Sequence, residues 1–331
     1  MKQIKSAIFD EFRCLAGACP DSCCQEWDVQ VDDVSAAYYR SLPGPLGDKL
    51  RSVLAEEDGE TVMTIENGRC PMWRADGLCR IQAELGEDAL CKTCREFPRL
   101  THDYGDFLEL TLELSCPEAA RLILTAEAIT PVTEEIPGGE EPEYDKEAME
   151  ILKSTRSYLL KLLADTRYSV PEILALALMY GYQAQAELDG AAALAFDPDA
   201  ALEEARSFAK SGDSAGLTDF FLSLEILTDN WKQRLLAPSP AGWQIGYRNL
   251  MRYFVERYWL QAVSDYDLVS RVKFAVIACL LIRHLGGNFP ETAQLFSKEI
   301  ENDANNVDAI LDAAYAHPAF TDEKLLGLLL K

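Results

Sequence analysis

Cys-Leu-Ala-Gly-Ala-Cys-Pro-Asp-Ser-Cys-Cys, at residues 14–24, places four thiols in one short stretch near the start of the chain. Of the ten cysteines, only Cys279 lies beyond residue 116. The five that follow the first stretch are Cys70, Cys79, Cys91, Cys94 and Cys116. Thiols are gathered in a sequence to form disulfides, to bind metal or to carry out redox chemistry. The N-terminal region therefore decides how the rest of the chain is interpreted.

The cellular compartment narrows that choice. The N-terminal residues contain no apolar run of signal-peptide length, and acids follow at once at Asp10 and Glu11. We therefore expect a cytoplasmic protein, in a reducing environment where structural disulfides rarely persist. Adjacent Cys23 and Cys24 also cannot easily serve one simple disulfide. Metal binding is the preferred interpretation, and buried inert thiols are the alternative.

The metal is predicted to be held mostly or wholly by thiolates. The chain has three histidines, and of these only His102 lies near the cysteines. Thiolate ligation suits a zinc ion with four cysteines and equally an iron–sulfur cluster. Cys19, Cys70 and Cys116 are each followed by proline, as is the last cysteine of the ferredoxin run, which favours iron–sulfur. The C-x3-C-x2-C pattern of radical-generating enzymes does not occur in the 14–24 stretch.

Length, composition and net charge limit the classes of protein to which the chain can belong. At 331 residues, with 48% hydrophobic and 26% charged residues, the chain is expected to form one large or two ordinary globular domains. Its net charge of −24 argues against sequence-independent nucleic-acid binding, which needs a basic surface, and against anionic membrane surfaces. The longest apolar run, 274–282, is too short to span a bilayer and is predicted to be a buried core helix.

The fold is predicted to be mostly α, with a few short strands confined to the cysteine-rich part. Alternating patterns predict strands at 27–31, 61–66 and 107–114. Helices are predicted at 34–42, capped by Asp32 or Asp33, at 46–57, at 81–90 and from Pro117 to about 128. A small hairpin is expected to bring Cys70 and Cys79 near each other.

One boundary stands out at 130–145, where three prolines, two glycines and a cluster of acids predict a solvated acidic linker. It separates a cysteine-rich metal-binding domain, 1–129, from an all-helical domain, 146–331. An acidic tail that binds a basic partner is the alternative for the linker. Helices are predicted at 145–165, 170–187, 199–211, 214–236, 246–262, 266–285, 290–303, 306–315 and 320–330.

Several motifs carry a family resemblance. In the first part they are Cys14, Cys19, Cys23 and Cys24 before Trp27; Gly68, Cys70 and Pro71; Leu78, Cys79 and Ile81; Leu85-Gly86-Glu87; Cys94; Phe97-Pro98-Arg99; and Ser115-Cys116-Pro117-Glu118-Ala119-Ala120. Later ones are Asn249-Leu250, Tyr253, Arg257 and the Asp265 to Asp267 region. Together they resemble the flagellin lysine-N-methylases, whose N-terminal half belongs to a wider group with a zinc- or iron-chelating cysteine-rich domain.

The resemblance implies methyl transfer from S-adenosylmethionine to lysine side chains of flagellin, with an iron–sulfur cluster of the 4Fe-4S type, or zinc, held by the protein. The metal ligands it implies are Cys14, Cys19, Cys23, Cys24, Cys70, Cys79, Cys94 and Cys116. Cys91 is left out as a spare. The sequence contains no Gly-x-Gly-x-x-Gly after a strand, so the Rossmann-type site for S-adenosylmethionine is not evident.

Further candidates follow from the chemistry. Arg95 and Arg99 are predicted to hold a carboxylate such as that of methionine, or else to pair with thiolates or acids. A lysine must be neutral to be methylated, and the side chains beside the cysteines that can take its proton are Asp103, Tyr104, Glu113 and Glu118.

Each of these groups also has a structural interpretation. Glu113 is more simply the outward face of a strand, and Glu118 an acid at a helix N-terminus. His102 is expected to be structural, and Trp27 and Trp73 to shield the metal. The alternative function is a non-catalytic zinc- or iron-binding module that acts as a scaffold or metal carrier and binds a partner through its helical half.

Overall fold

The computed structural model describes residues 1–21, 23, 29–57, 59–126, 131–210 and 214–331. The strands are β1 (Lys2–Ser6), β2 (Val29–Gln30), β3 (Leu54–Glu57), β4 (Glu60–Met63), β5 (Arg99–Asp103), β6 (Phe107–Leu112) and β7 (Pro131–Glu135). The first helices are α1 (Asp33–Ser41), α2 (Gly44–Val53), α3 (Arg80–Leu85), α4 (Lys92–Glu96) and α5 (Pro117–Thr125). The mostly α fold class, with a few short N-terminal strands, is confirmed.

The larger sheet has the strand order β5-β6-β1-β7. Strand β1 runs parallel to β6, with Lys2 opposite Phe107, and antiparallel to β7, with Lys2 opposite Glu135. The strand predicted at 107–114 is confirmed as β6, but it ends at Leu112. The N-terminal segment therefore lies in the middle of a sheet whose other strands come much later in the chain.

Strand β7 falls inside the segment 130–145, which composition predicts to be a solvated linker. The side chains of Pro131–Glu135 are all exposed, in keeping with that composition. Their backbone nevertheless pairs with Lys2–Ser6, because an edge strand needs only backbone hydrogen bonds and can keep acids and proline on its open side. The part of the segment from 131 to 135 is thus an ordered edge strand, which the composition did not predict.

The smaller sheet has the order β2-β4-β3 and packs on α1 and α2. Asp32 caps α1 as predicted, because its carboxylate accepts a hydrogen bond of 3.0 Å from the Ser35 backbone N–H. The helix predicted at 46–57 is confirmed to Val53 and is wrong in its last four residues. Residues Leu54–Glu57 form β3, which pairs antiparallel with Glu60–Met63 around Gly59, whose φ of 88° suits the tight turn.

The helical part consists of α6 (Lys146–Leu163), α7 (Val170–Leu188), α8 (Pro198–Phe208), α9 (Ala215–Leu222), α10 (Asp229–Leu236), α11 (Gly246–Tyr258), α12 (Val269–Leu285), α13 (Phe289–Phe296), α14 (Ala304–Ala316) and α15 (Asp322–Leu330). The helix predicted at 214–236 is two helices, because Thr228 caps the second by accepting a hydrogen bond of 3.1 Å from the Trp231 N–H. Helix α13 continues into a π-helical turn at Ser297–Glu301.

Among the residues that the structure describes, the buried apolar side chains fall into two cores. The smaller core lies between residues 29 and 94 and includes Tyr39, Leu50 and Met72. The larger core joins the helical part to the four-stranded sheet and α5, and it contains Phe12, Leu112 and Cys116. The domain division at 130–145 stays a prediction, since this larger core draws on residues from both sides of it.

The apolar run 274–282 lies in α12, and all of its side chains are buried, as predicted for a core helix. None of the helices in the described part of the chain combines the length and apolar content needed to cross a membrane.

Candidate functional site

The described thiols fall into two groups according to the residues that surround them. The structure describes nine of the ten cysteines and shows each as a reduced thiol, whereas Cys24 lies outside the described residues. The first neighbourhood joins Cys14 and Cys19 of the N-terminal stretch to Cys116 at the start of α5. Burial, with a smaller contribution from the ionised forms of Cys19 and Cys14, raises the pKa of Cys116 to about 11. The fold thus brings together thiols that are far apart in the sequence.

The second neighbourhood surrounds Tyr39 in the smaller core. Burial raises the pKa of Tyr39, and the nearby negative charges of Cys91, Cys94 and Cys79 add to this effect. A hydrogen bond from the Cys94 thiol lowers the pKa of Cys91 against the opposing effect of burial. Cys91, which the family resemblance left out as a spare, therefore lies with the other thiols.

Cys70 is buried in the same core, and its sulfur lies 3.5 Å from that of Met63. A backbone bridge between Trp73 and Cys79 forms the hairpin predicted to carry Cys70 and Cys79. Four cysteines, Cys70, Cys79, Cys91 and Cys94, thus belong to one core and are named the core thiols here. Cys14, Cys19 and Cys116 are named the loop thiols.

The donor chemistry fits thiolate-bound metal, because each neighbourhood offers reduced thiols and contains a cysteine at a helix N-terminus, Cys91 before α4 and Cys116 before α5. Across the ranges that the structure describes, no three Cys, His, Asp or Glu side chains come together as ligands of one metal ion. The eight predicted ligands therefore stay a prediction. The Cys23 side chain is exposed.

The helical part contacts the loop thiols through Asp21. The Cys19 thiol donates to the backbone carbonyl of Asp21. The Asp21 carboxylate accepts a hydrogen bond of 2.9 Å from Gln294 Nε2, and both of its oxygens lie 3.3 Å from Lys298 Nζ. Gln294 Nε2 also donates to the carbonyl of Ser115, at 2.7 Å, immediately before Cys116.

A buried charged network lies behind this contact. The Glu301 carboxylate is fully buried and lies 3.3 Å from Arg257 Nε. It accepts hydrogen bonds from the hydroxyls of Tyr253, at 3.1 Å, and Tyr258, at 2.8 Å. The Tyr253 hydroxyl in turn accepts from Arg257 at 2.7 Å and from the Leu114 N–H at 3.3 Å. The network therefore ties α11 and the π-helical turn to the segment that precedes Cys116.

Glu113 belongs to this region and is not on the outward face of a strand. Strand β6 ends at Leu112, and the Glu113 carboxylate turns inward to accept a hydrogen bond of 2.7 Å from Ser115. Burial raises the pKa of Glu113, and Arg257 opposes the rise. Of the four predicted proton acceptors, Glu113 is a buried carboxylate with a raised pKa.

The other predicted candidates have structural partners. Glu118 pairs with Arg121 at 2.7 Å in the first turn of α5, as its structural interpretation predicts. The Asp103 carboxylate accepts from the Gly105 N–H at 2.8 Å, and the ring of Tyr104 stacks on Phe107 with centroids 4.7 Å apart.

Further predicted candidates are His102, Trp73 and Trp27. His102 is half-buried, its Nε2 has no hydrogen-bond partner among the described residues, and burial with the charge of Arg257 lowers its pKa. Arg69 lies over the ring of Trp73 at 4.3 Å. Trp27 lies outside the described residues.

The two predicted carboxylate-binding arginines have different surroundings. Arg99 lies over the ring of Phe12, 5.1 Å from its centroid. Arg95 lines a cleft of about 520 Å³ next to the core thiols. The remaining residues of the cleft are Asp32, Val34, Ser35, Tyr38, Leu85, Asp88, Ala89 and Lys92.

The sequence interpretation missed the roles of Arg257, Glu301, Gln294 and Lys298. Arg257 and Tyr253 were noted only as part of the family resemblance. Charged residues inside otherwise apolar helical patterns were the available signal, since a buried charge requires a partner. Nothing in the sequence indicated which partner each would find.

Comparison with known proteins identifies the family. Over 138 residues the chain is 32% identical to the flagellar biosynthetic protein FliU of Salmonella muenchen, and the match covers 38% of this chain and 79% of that protein. The chain belongs to the FliU family. The predicted resemblance is confirmed at this level.

Two further family members are named lysine-N-methylase, from Salmonella typhimurium and Salmonella choleraesuis. Each is 32% identical to the chain over 138 residues. The match covers 38% of this chain but only 33% of each lysine-N-methylase, so the chain spans about a third of their length. No family model matches the chain, and no solved structure matches it.

Glu256, next to the buried network, gives a prediction for pH dependence. Burial raises the pKa of Glu256 to about 7, while Arg252 and Arg156 oppose the rise. A carboxyl group with a raised pKa favours the folded state while it is protonated and destabilises that state once it ionises. Its contribution to stability is therefore complete below the unfolded-state pKa and is lost as the pH rises through about 7.

We expect the free energy of unfolding to fall by about 1–2 kcal/mol between about pH 5 and pH 8, after allowing for solvent screening. Glu256→Gln should flatten this dependence in urea unfolding, whereas the exposed control Glu143→Gln should keep it. An unchanged slope in Glu256→Gln would contradict the assignment.

Proposed function

We propose that the chain takes part in S-adenosylmethionine-dependent N-methylation of lysine side chains on flagellin. The observation that carries the proposal is membership of a family that includes proteins named lysine-N-methylase and a flagellar biosynthetic protein. The net charge of −24 supports it in part, because opposite potentials speed the encounter with lysine-bearing surfaces.

The reaction itself sets what the protein must supply. The lone pair of a neutral lysine amine forms a new bond to the methyl carbon, while the bond from that carbon to the sulfonium sulfur breaks and its electron pair stays on sulfur. The methylated ammonium then gives up a proton if it is to accept another methyl group. A site for this reaction must therefore desolvate the amine or supply a base.

Glu113 is proposed as that base. Burial raises its pKa, so the carboxylate is a better proton acceptor than an exposed glutamate. It lies two residues from Ser115, whose hydroxyl orients it, and three from Cys116. Arg257 opposes the rise in the pKa of Glu113 and so favours its ionised form.

The cysteines are proposed to hold metal in two places. The loop thiols, together with Cys23 and Cys24, would hold an iron–sulfur cluster or zinc, and the core thiols would hold a second metal. Each set supplies enough cysteines for the four thiolates that one zinc or one cubane requires. When bound, the metal supplies a Lewis-acidic centre or a structural tie for its loops.

The cleft beside the core thiols is the proposed site for S-adenosylmethionine. Its volume of about 520 Å³ is within the range of small-molecule pockets. Arg95 and Lys92 would hold the carboxylate of the methionine portion, and Asp88 its ammonium group. The half-exposed ring of Tyr38 and the apolar Val34 and Leu85 offer a surface for the adenine. Arg99 contacts the ring of Phe12 and does not line this cleft, so it is not included in the proposed site.

The decisive experiment uses anaerobically prepared full-length protein, flagellin and S-adenosylmethionine, followed by mass measurement of tryptic flagellin peptides. We expect the addition of methyl groups on lysine. Cys19→Ala, Cys23→Ala and Glu113→Gln should each lose activity, whereas Cys279→Ala, which alters a buried thiol of α12 remote from both thiol groups in sequence, should keep it. Activity in a metal-free, folded protein would leave the cysteines a structural role only.

The second candidate is a non-catalytic zinc- or iron-binding module that serves as a scaffold or metal carrier. The observation that favours it is the separate small core between residues 29 and 94, which contains its own four cysteines. Tight metal binding without methylation of any flagellin would support this function and contradict the first.

A further inference from the structure

Two side chains from the end of the helical part reach the cysteine stretch at the start of the chain. Gln294 lies in α13 and Lys298 in the π-helical turn that follows it. Both residues are 7% exposed. They are four residues apart, so they lie on one side of the helix, and both contact the Asp21 carboxylate. Their partner precedes them in sequence by more than 270 residues.

These contacts hold the two segments that carry the loop thiols Cys19 and Cys116. Asp21 accepts from the Cys19 thiol through its backbone carbonyl, and its carboxylate is held by Gln294 and Lys298. The same Gln294 amide donates to the Ser115 carbonyl at 2.7 Å, next to Cys116. One amide group therefore bridges the two chain segments that carry Cys19 and Cys116.

Charge explains why a buried lysine is needed there. Thiolates at one site repel each other, and the Asp21 carboxylate adds a further negative charge beside Cys19. The Lys298 ammonium, 3.3 Å from both carboxylate oxygens, offsets that charge. A buried ammonium without such a partner would carry a large desolvation cost, so the pair depends on both of its members.

We propose that Gln294 and Lys298 are positioning residues that hold the Cys14–Asp21 stretch against the segment before Cys116, and so assemble the loop thiols into one site. The inference rests on the proposed metal-binding role of these thiols for its functional meaning. The geometry of the thiols themselves is tested without metal and without methylation, so failure of the methylation assay leaves this proposal intact.

The test measures alkylation rates of individual cysteines by mass spectrometry in reduced, metal-free, full-length protein. In Lys298→Met we expect Cys19 to react about tenfold faster, because a charge-assisted contact that holds its loop is lost. In Gln294→Leu we expect faster reaction at both Cys19 and Cys116. Lys298→Arg should restore slow alkylation, because it keeps the positive charge.

A matched control is available in Lys273, which is also buried and lies 3.1 Å from Asp322. Lys273→Met removes a similar pair elsewhere in the helical part and should leave Cys19 and Cys116 unchanged. Cys279, fully buried in α12, reports global unfolding. The iron or zinc content of each purified variant, measured separately, should fall in Lys298→Met and Gln294→Leu.

Equal alkylation rates at Cys19 in the original protein and in Lys298→Met would overturn the proposal, as would an equal rise in Lys273→Met. If Cys279 also becomes reactive in Lys298→Met, the decision passes to Asp21→Asn. That change lies in the half-buried loop and removes the negative charge that Lys298 pairs with. Faster alkylation of Cys19 in Asp21→Asn supports the proposal, and an unchanged rate refutes it.

Discussion

Replacement of Arg257 by methionine is expected to lower the free energy of unfolding by about 3–5 kcal/mol, because it leaves a buried carboxylate without its cation. The Glu301 side chain is fully buried, and Arg257 Nε lies 3.3 Å from its carboxylate. The hydroxyls of Tyr253 and Tyr258 would remain as hydrogen-bond donors, but they carry no charge. Urea unfolding followed by circular dichroism measures the loss.

Arg206→Met provides the control, because Arg206 makes ion pairs with Glu172 and Glu203 at the surface. Its loss should cost no more than about 1 kcal/mol. The double variant Arg257→Met, Glu301→Gln should recover part of the stability, since it removes both charges. Equal destabilisation by Arg257→Met and Arg206→Met would show that the buried network contributes little to the fold.

Cys91→Ala is expected to remove about half of the bound metal, because it breaks only the core thiol group. The segment between residues 29 and 94 should then unfold in part, since the binding energy of a structural metal, about 10 kcal/mol or more for zinc, is also folding energy. Elemental analysis gives the metal content per chain, and limited proteolysis locates the loosened segment.

Cys116→Ala should remove the other half of the metal and leave the 29–94 segment resistant to protease. Cys279→Ala, in the buried α12 helix, should retain all of the metal. Complete loss of metal in both Cys91→Ala and Cys116→Ala would mean that the two groups share one site, and the separation into loop thiols and core thiols would be wrong.

Much of the architecture follows from local sequence signals. The apolar spacing beyond residue 145 predicted the helices, and the Asp32 cap and the alternation at 107–112 are present in the structure. The errors occur where tertiary contacts override local preference. The local sequence predicts the end of a helix at Leu54–Glu57, but this segment pairs with β4. It predicts a linker at 131–135, but this segment pairs with β1.

The site was predictable in its chemistry but not in its arrangement. Clustering of cysteines indicated thiolate chemistry, yet sequence alone did not divide them into two groups or include Cys91 in one of them. Glu113 continues the alternation of a strand and was expected outside, but the strand stops one residue earlier and the carboxylate turns inward. Contacts such as that of Asp21 with Lys298 join residues 277 positions apart, and no local pattern encodes them.

The position of β1 in the middle of its sheet has a consequence for the order of assembly during translation. Strand β1 leaves the ribosome long before the strands it pairs with, since Lys2 pairs with Phe107 and Glu135. The Asp21 contacts wait longer still, for Gln294 and Lys298. The cysteine stretch at 14–21 is therefore synthesised well before the residues that fix it in place. We expect a nascent chain to expose these reactive thiols until Gln294 and Lys298 have been synthesised, and metal loading of the loop thiols to follow that point.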